Sequence, residues 1–153
     1  MIQAKPLIKN ILIAAIAAVI GSIFSRNASE LLDSLNTPPI IPPPWVFAVV
    51  WTVLYLLMAI SAYLIDTSDS ADKNGAFTIY GIQLILNVAW TFLFFEIEAF
   101  WAAFICIILL WISILAMIII FTQIKPIAGY LQIPYLFWVT FAAVINISIA
   151  ILN

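Results

Sequence analysis

Five apolar stretches, at about 7–25, 44–65, 75–95, 99–122 and 127–152, constrain this chain more than any other feature. A helix rises about 1.5 Å per residue, so each stretch can cross the roughly 30 Å of hydrocarbon in a bilayer. Lipid offers no hydrogen bonds to an open backbone, so only helices and closed barrels span it. Barrel strands alternate in segments of roughly 10 residues, and these stretches do not alternate. Composition agrees: the 153 residues are 67% hydrophobic and 8% charged, where soluble domains carry about 25% charged residues. The reading is an all-α membrane protein, a five-transmembrane-helix bundle that forms one domain over 1–153.

The charges sit at the breaks between spans, where water is available. The first connector runs from Arg26 to Pro43. The second holds Asp66, Asp69, Asp72 and Lys73, the third Glu96 and Glu98, and the fourth is Gln123-Ile124-Lys125-Pro126. With the N-terminus inside, Lys5, Lys9, Lys73 and Lys125 are cytoplasmic and Arg26 alone is outside, which favours N-in, C-out by the positive-inside rule. The location expected is a bacterial cell membrane. Lys5 and Lys9 ahead of an apolar run ending in Gly21, Ser22 and Ser25 have the look of a signal peptide. The stretch is read instead as a retained first helix.

Residue types exclude several chemistries. There is no histidine, so the commonest metal and haem ligand and the commonest general base are missing. The lone Cys106 lies mid-span and has no intrachain partner. No basic face suggests nucleic acid, and no metal site is expected. Apart from Lys9 near the start of the first, the spans contain no Asp, Glu, Lys or Arg, and ion-coupled transport requires such a residue within the membrane. The aspartates of the second connector lack a calcium-loop spacing.

The first connector is long and ends in Thr37-Pro38-Pro39-Ile40-Ile41-Pro42-Pro43-Pro44. Prolines hold the backbone extended and stiff, and the last one suits the first turn of a helix. The loop reads as a semi-rigid cap, or as a spacer with a helix-start device. In the first span, Ala14, Ala18 and Ser22 form one stripe of small residues and Ala17, Gly21 and Ser25 the next, which predicts close helix packing, within the bundle in the favoured reading and between two copies in the other. Pro134 inside the fifth span predicts a kink.

Of six tryptophans, Trp45 and Trp101 lie at span ends, as interfacial belts do. Trp51, Trp90, Trp111 and Trp138 lie within spans. Measured from the side of the proline loop, Trp51 is roughly 10 Å deep with Tyr55 a turn below, Trp90 roughly 8 Å, Asn87 and Ala142 roughly 12 Å, Trp138 roughly 18 Å and Asn146 roughly 6 Å. Trp51 and Tyr55 share a face, as do Gln83, Asn87 and Trp90, and Trp138, Ala142 and Asn146. Amides in hydrocarbon need partners, so these faces point inward. The pattern describes an aromatic pocket with a few amides, the usual make-up of a small-molecule site. It equally describes amides that tie helices together around a core of indoles.

These residues resemble the TspO/MBR family, the translocator proteins also called tryptophan-rich sensory proteins or peripheral-type benzodiazepine receptors. Three motifs carry the resemblance. The first is Pro42-Pro43 with Val46-Phe47 and Trp51-Thr52-Val53-Leu54-Tyr55. The second is Gln83-Leu84-Ile85-Leu86-Asn87-Val88-Ala89-Trp90 with Phe94-Phe95. The third is Pro134-Tyr135-Leu136-Phe137-Trp138 with Phe141-Ala142 and Asn146. The resemblance implies a five-helix bundle, commonly a homodimer, that binds porphyrins and other flat apolar ligands beneath the first loop. Its pocket positions match Pro42, Trp51, Asn87, Trp90, Trp138 and Ala142. Where many relatives carry aromatic loop residues, this chain has Leu31, Leu32 and Ile40, so its lid is aliphatic. The family's cholesterol motif is not matched at Ile145-Asn146-Ile147-Ser148; a reversed pattern occurs as Lys125, Tyr130 and Leu136, and such patterns are weak.

The leading functional reading is therefore a membrane receptor or carrier for porphyrins, protoporphyrin IX and haem among them, with no cofactor required. Its ligand-binding residues would be Pro42, Trp51, Tyr55, Gln83, Asn87, Trp90, Trp138, Ala142 and Asn146. One alternative is an enzyme for light-dependent protoporphyrin degradation with Trp51 and Trp138 as redox-active side chains. Another is a membrane scaffold or regulator with a vestigial pocket.

Overall fold

The computed structural model describes residues 3–153, and among them all regular structure is helical. Five helices are long and apolar enough to cross a membrane: Ala4–Phe24, Pro44–Asp66, Lys73–Glu96, Phe100–Ile124 and Pro126–Leu152. In detail these are α1 (Ala4–Phe24), α3 (Pro44–Asp66), α4 (Lys73–Thr91), α5 (Phe100–Ile124), the short α6 (Pro126–Tyr130) and α7 (Ile133–Leu152). A further short helix, α2 (Ala28–Ser34), lies in the first connector.

Around the bundle, α1 packs on α3 and α4, α4 on α5, and α5 on α6 and α7, while α3 meets α6 to close the ring. Ala14, Ala17 and Gly21 of α1 are buried against the bundle, while Ala18, Ser22 and Ser25 of the same stripes are not fully covered. Met58, Ile107, Leu110, Ile114, Met117 and Val139 are fully buried, while Val19, Ile85, Ile105 and Phe137 are more than half exposed on the outer faces. In lipid those outward apolar faces are solvated by acyl chains, so the bundle interior is told apart by its small and polar residues.

The ends are tied in pairs that fix which termini share a side. On the side opposite the first connector, Lys9 pairs with Asp66 at 2.6 Å, Asn10 Nδ2 donates to the same carboxylate at 3.0 Å, and Lys73 donates to the Asp66 carbonyl. On the connector side, Asn36 and Asn153 clasp each other: the Asn36 N–H donates to Asn153 Oδ1 at 2.9 Å and Asn153 Nδ2 donates to the Asn36 carbonyl at 3.1 Å. The proline loop is thereby fastened to the end of α7.

Three local features differ from the reading of the sequence. The fifth span does not run through Pro134 with a kink. It breaks at Leu131–Gln132 and restarts, with Pro134 in the first turn of α7, where a missing N–H costs nothing. The break is held from α3: Ser61 Oγ donates to the Ala128 carbonyl at 2.6 Å and Gln132 Nε2 to the Leu57 carbonyl at 3.4 Å. The helix α2 is invisible to periodicity, because seven residues are too few to show a period; Glu30 in its first turn suits the helix dipole. Finally, α4 widens into a π turn over Phe92–Glu96, with the Ile97 N–H donating to the Phe92 carbonyl at 3.1 Å. The chain then reverses through Glu98 in the left-handed region, φ 57°.

Candidate functional site

Small side chains on α1 leave space against the aromatic face of α3, and the gap becomes a cavity. It has a volume of about 720 Å³ and lies among α1, α3 and α4 with α2 over its outer end. Along α1 its wall runs from Ile11 to Ser25, a length of about 21 Å at helical rise. Ala14, Ala18 and Ser22 form that side because a larger residue would fill the space. Phe47, Trp51 and Tyr55 face them from α3, and Asn87, Trp90 and Phe95 from α4. The π turn is what brings Phe95 onto the wall, since an ordinary turn would rotate it about 100° further from Trp90.

The indoles form a continuous aromatic surface. Trp51 and Trp90 have ring centroids 6.4 Å apart, Trp51 lies 5.8 Å from Tyr55 and 6.1 Å from Tyr135, and Trp90 lies 5.7 Å from Phe94. These separations are within the range of favourable aromatic pairing. Behind the surface runs a buried polar chain. Tyr55 Oη donates to Asn87 Oδ1 at 2.9 Å, Asn87 Nδ2 donates to Tyr135 Oη at 2.8 Å, and Tyr135 Oη donates to Gln83 Oε1 at 3.0 Å. A second link joins Trp90 Nε1 to Asn146 Oδ1 at 3.0 Å, and Asn146 Nδ2 to the Phe100 carbonyl at 2.9 Å. These bonds cross between helices, so they hold the indoles in place as well as satisfying the amides.

Of the nine sequence-predicted residues, six fall in these two layers and three do not. Trp51, Tyr55, Asn87 and Trp90 are on the cavity wall. Gln83 and Asn146 are fully buried behind it, their amides engaged in the links above. Ala142 is buried in the core. Pro42 is half-buried in the loop, and Pro44 takes the place on the wall. Trp138 lies apart, packed edge-on to Phe47 at 5.6 Å and lining an apolar groove of about 520 Å³ between α3 and α7 with Val50, Val53 and Phe137. Sequence reasoning misses the wall from α1 and the loop residues Arg26, Ser29 and Leu32. The small-residue stripe is the signal that points to the α1 wall.

The TspO/MBR family model matches residues 10–152. The chain belongs to the TspO/MBR family. It is 35% identical to Protein CrtK of Rhodobacter capsulatus over 141 residues, covering 91% of this chain and 87% of that protein. It is also 35% identical to Tryptophan-rich protein TspO of Chlorobaculum tepidum, covering 87% and 86%. To the Translocator protein of Ovis aries it is 36% identical over 74% of this chain and 69% of that one. Family membership and five spanning helices together make this TspO/MBR chain an integral, multi-pass membrane protein.

Within this TspO/MBR bundle the Asn36–Asn153 clasp is exposed, so its removal should cost less than about 1 kcal/mol of stability. Its effect belongs to loop motion. Asn153→Ala, which removes the side chain that makes both bonds, is expected to leave the melting temperature nearly unchanged and to speed exchange of a cavity ligand several-fold, measured by stopped-flow tryptophan fluorescence. Equal exchange rates would show that the clasp does not hold the loop shut.

Proposed function

We propose that this protein is a membrane receptor or carrier for porphyrins and other flat apolar ligands, bound in the cavity among α1, α3 and α4. The observation that carries the reading is the indole pair of Trp51 and Trp90 on one wall of a cavity of about 720 Å³. Large flat aromatic surfaces bind by burial and stacking on such a wall. The opposing alanines of α1 give a smooth face against which a second side of the ring can lie. The names of the relatives, translocator and tryptophan-rich sensory protein, are in keeping with a ligand carried or sensed in the membrane. In this reading the N-terminus is cytoplasmic, the first connector and its cavity mouth face outward, and the protein works as a homodimer.

Titration of the purified protein with protoporphyrin IX, followed by tryptophan quenching, tests the reading. Saturable binding is expected, weakened about 10–100-fold by Trp51→Ala, which removes the largest stacking surface on the wall. With no histidine in the chain to supply an axial bond, haem should bind no more tightly than the metal-free ring. Absence of any quenching at micromolar porphyrin would leave a scaffold with a vestigial pocket as the better account.

The close Trp51–Trp90 pair also favours a second reading, light-dependent degradation of bound protoporphyrin through these indoles. Illumination of the complex distinguishes the two. Loss of the porphyrin spectrum that slows in Trp51→Phe would mark an enzyme, and a stable spectrum a carrier. Trp138→Phe, off the cavity wall, should have the smaller effect.

A further inference from the structure

The cavity is apolar along its length and changes character at its outer end, where Arg26 lies on the wall beside Ser22, Ser25 and Ser29. The hydroxyl groups lower down are already committed. The hydroxyls of Ser22, Ser25, Thr52 and Thr91 donate to carbonyls of their own helices, and Tyr55 donates to Asn87. They retain lone pairs but no proton for an acidic ligand. Arg26 is the only charged donor on the wall. Its nearest carboxylate, Glu96, is 4.0 Å away, well beyond the 2.7–2.9 Å typical of a charge-assisted hydrogen bond, so the guanidinium fork is not spent.

The distribution of charge sharpens the point. Lys5, Lys9, Lys73 and Lys125 all sit at the opposite ends of the helices, and Glu30, Asp33, Glu96 and Glu98 share the side of Arg26. Among the described residues, Arg26 is therefore the one basic side chain on the mouth side. An acid group entering there finds its one opposite charge at this residue.

We propose that Arg26 is a specificity-determining residue that anchors a carboxylate of the cavity ligand, so that the site selects flat apolar molecules bearing an acid group over their neutral esters. The inference rests on the cavity being the porphyrin site proposed above. The ring lies against Trp51 and Trp90, its acid edge points outward, and the planar guanidinium takes the carboxylate in two parallel hydrogen bonds. Glu96 competes for the same fork, so the Arg26–Glu96 pair loosens as the ligand seats.

The test compares protoporphyrin IX with its dimethyl ester, titrated by tryptophan quenching into the full-length protein in neutral-lipid nanodiscs. The intact protein is expected to favour the free acid. Arg26→Gln should weaken acid binding about 10-fold, the upper range for a half-solvated charge-assisted contact, and leave ester binding unchanged. Arg26→Lys should fall between, and Glu96→Gln should tighten the acid. Acid and ester that both bind, with a ratio unmoved by Arg26→Gln, would overturn the anchor and leave the cavity reading standing. Failure of both ligands to bind the intact protein would overturn the cavity reading and the anchor with it. Fatty acids present the same chemistry, and oleate competition separates the two sources. Displacement of porphyrin by oleate that is lost in Arg26→Gln would support the anchor with a lipid-derived acid as its occupant, and failure to displace would support it with the tetrapyrrole.

Discussion

Gly129→Ala is expected to destabilise the protein by about 3 kcal/mol, at the upper end of overpacking costs. Gly129 lies in α6 where that short helix folds back on the end of α5. A methyl group there would lie 2.8 Å from the Ile118 carbonyl oxygen and 2.9 Å from the Thr122 backbone nitrogen, and would also strike the Thr122 hydroxyl. The hydroxyl could rotate away only by giving up its 2.6 Å bond to the Ile118 carbonyl, and the backbone could not yield, because Ile118 and Thr122 are both part of the helical ladder of α5. Relief requires α6 to move off α5, which would pull the Ala128 carbonyl from Ser61 on α3. A control is built into the chain. A methyl group added at Gly75 or Gly81 would meet nothing within 4 Å. Both lie inside α4, so alanine there should gain up to about 1 kcal/mol from helix propensity. Thermal melting in detergent, read alongside monodispersity, checks the contrast. Three alanine variants with equal melting temperatures would refute the close approach of α5 and α6.

The spans are legible in the sequence because bilayer thickness dictates length, and twenty apolar residues have no other common use. The face shared by Trp51 and Tyr55 and the face shared by Asn87 and Trp90 are legible for a similar reason, since helical spacing is fixed. Azimuth is not. Depth along a span says how far Trp138 and Asn146 lie from the surface, but not which neighbours their helix turns them toward. Trp138 is therefore at the depth of the cavity and yet on the groove between α3 and α7. The contribution of α1 is hidden for the opposite reason. Alanine and glycine carry no chemistry of their own, and a stripe that leaves room for a ligand is written in the same residues as one that admits a neighbouring helix. Here Ala14 does both, being buried and on the cavity wall. The break before Pro134 is obscured because a proline in a long apolar run reads as a kink unless the buried polar residue that holds the break, Gln132, is placed against its partner on α3.

Asn87→Leu is expected to cost about 2–3 kcal/mol and to lower porphyrin affinity, and the two losses have separable causes. Asn87 accepts from Tyr55 Oη and donates to Tyr135 Oη, so leucine, close in size, strands the Tyr55 hydroxyl. A stranded buried polar group costs about 1–3 kcal/mol, whereas interhelical hydrogen bonds in membranes average only about 0.6 kcal/mol. The stranded hydroxyl therefore accounts for most of the loss, because Tyr135 keeps its bond to Gln83 at 3.0 Å. It follows that Tyr55→Phe in the Asn87→Leu background should recover much of the stability, a coupling that a double-mutant cycle in detergent would measure. Affinity should divide in the same cycle. If Asn87 serves the cavity by fixing the Tyr55 ring beside Trp51, the double variant regains porphyrin binding along with stability, since phenylalanine packs there without a hydroxyl to satisfy. Recovered stability with affinity still lost would instead mean that the Asn87 amide touches the ligand itself. The polar chain behind the indoles would then be part of the recognition surface, and its tyrosines would trade hydrogen bonds between the protein and the bound ring.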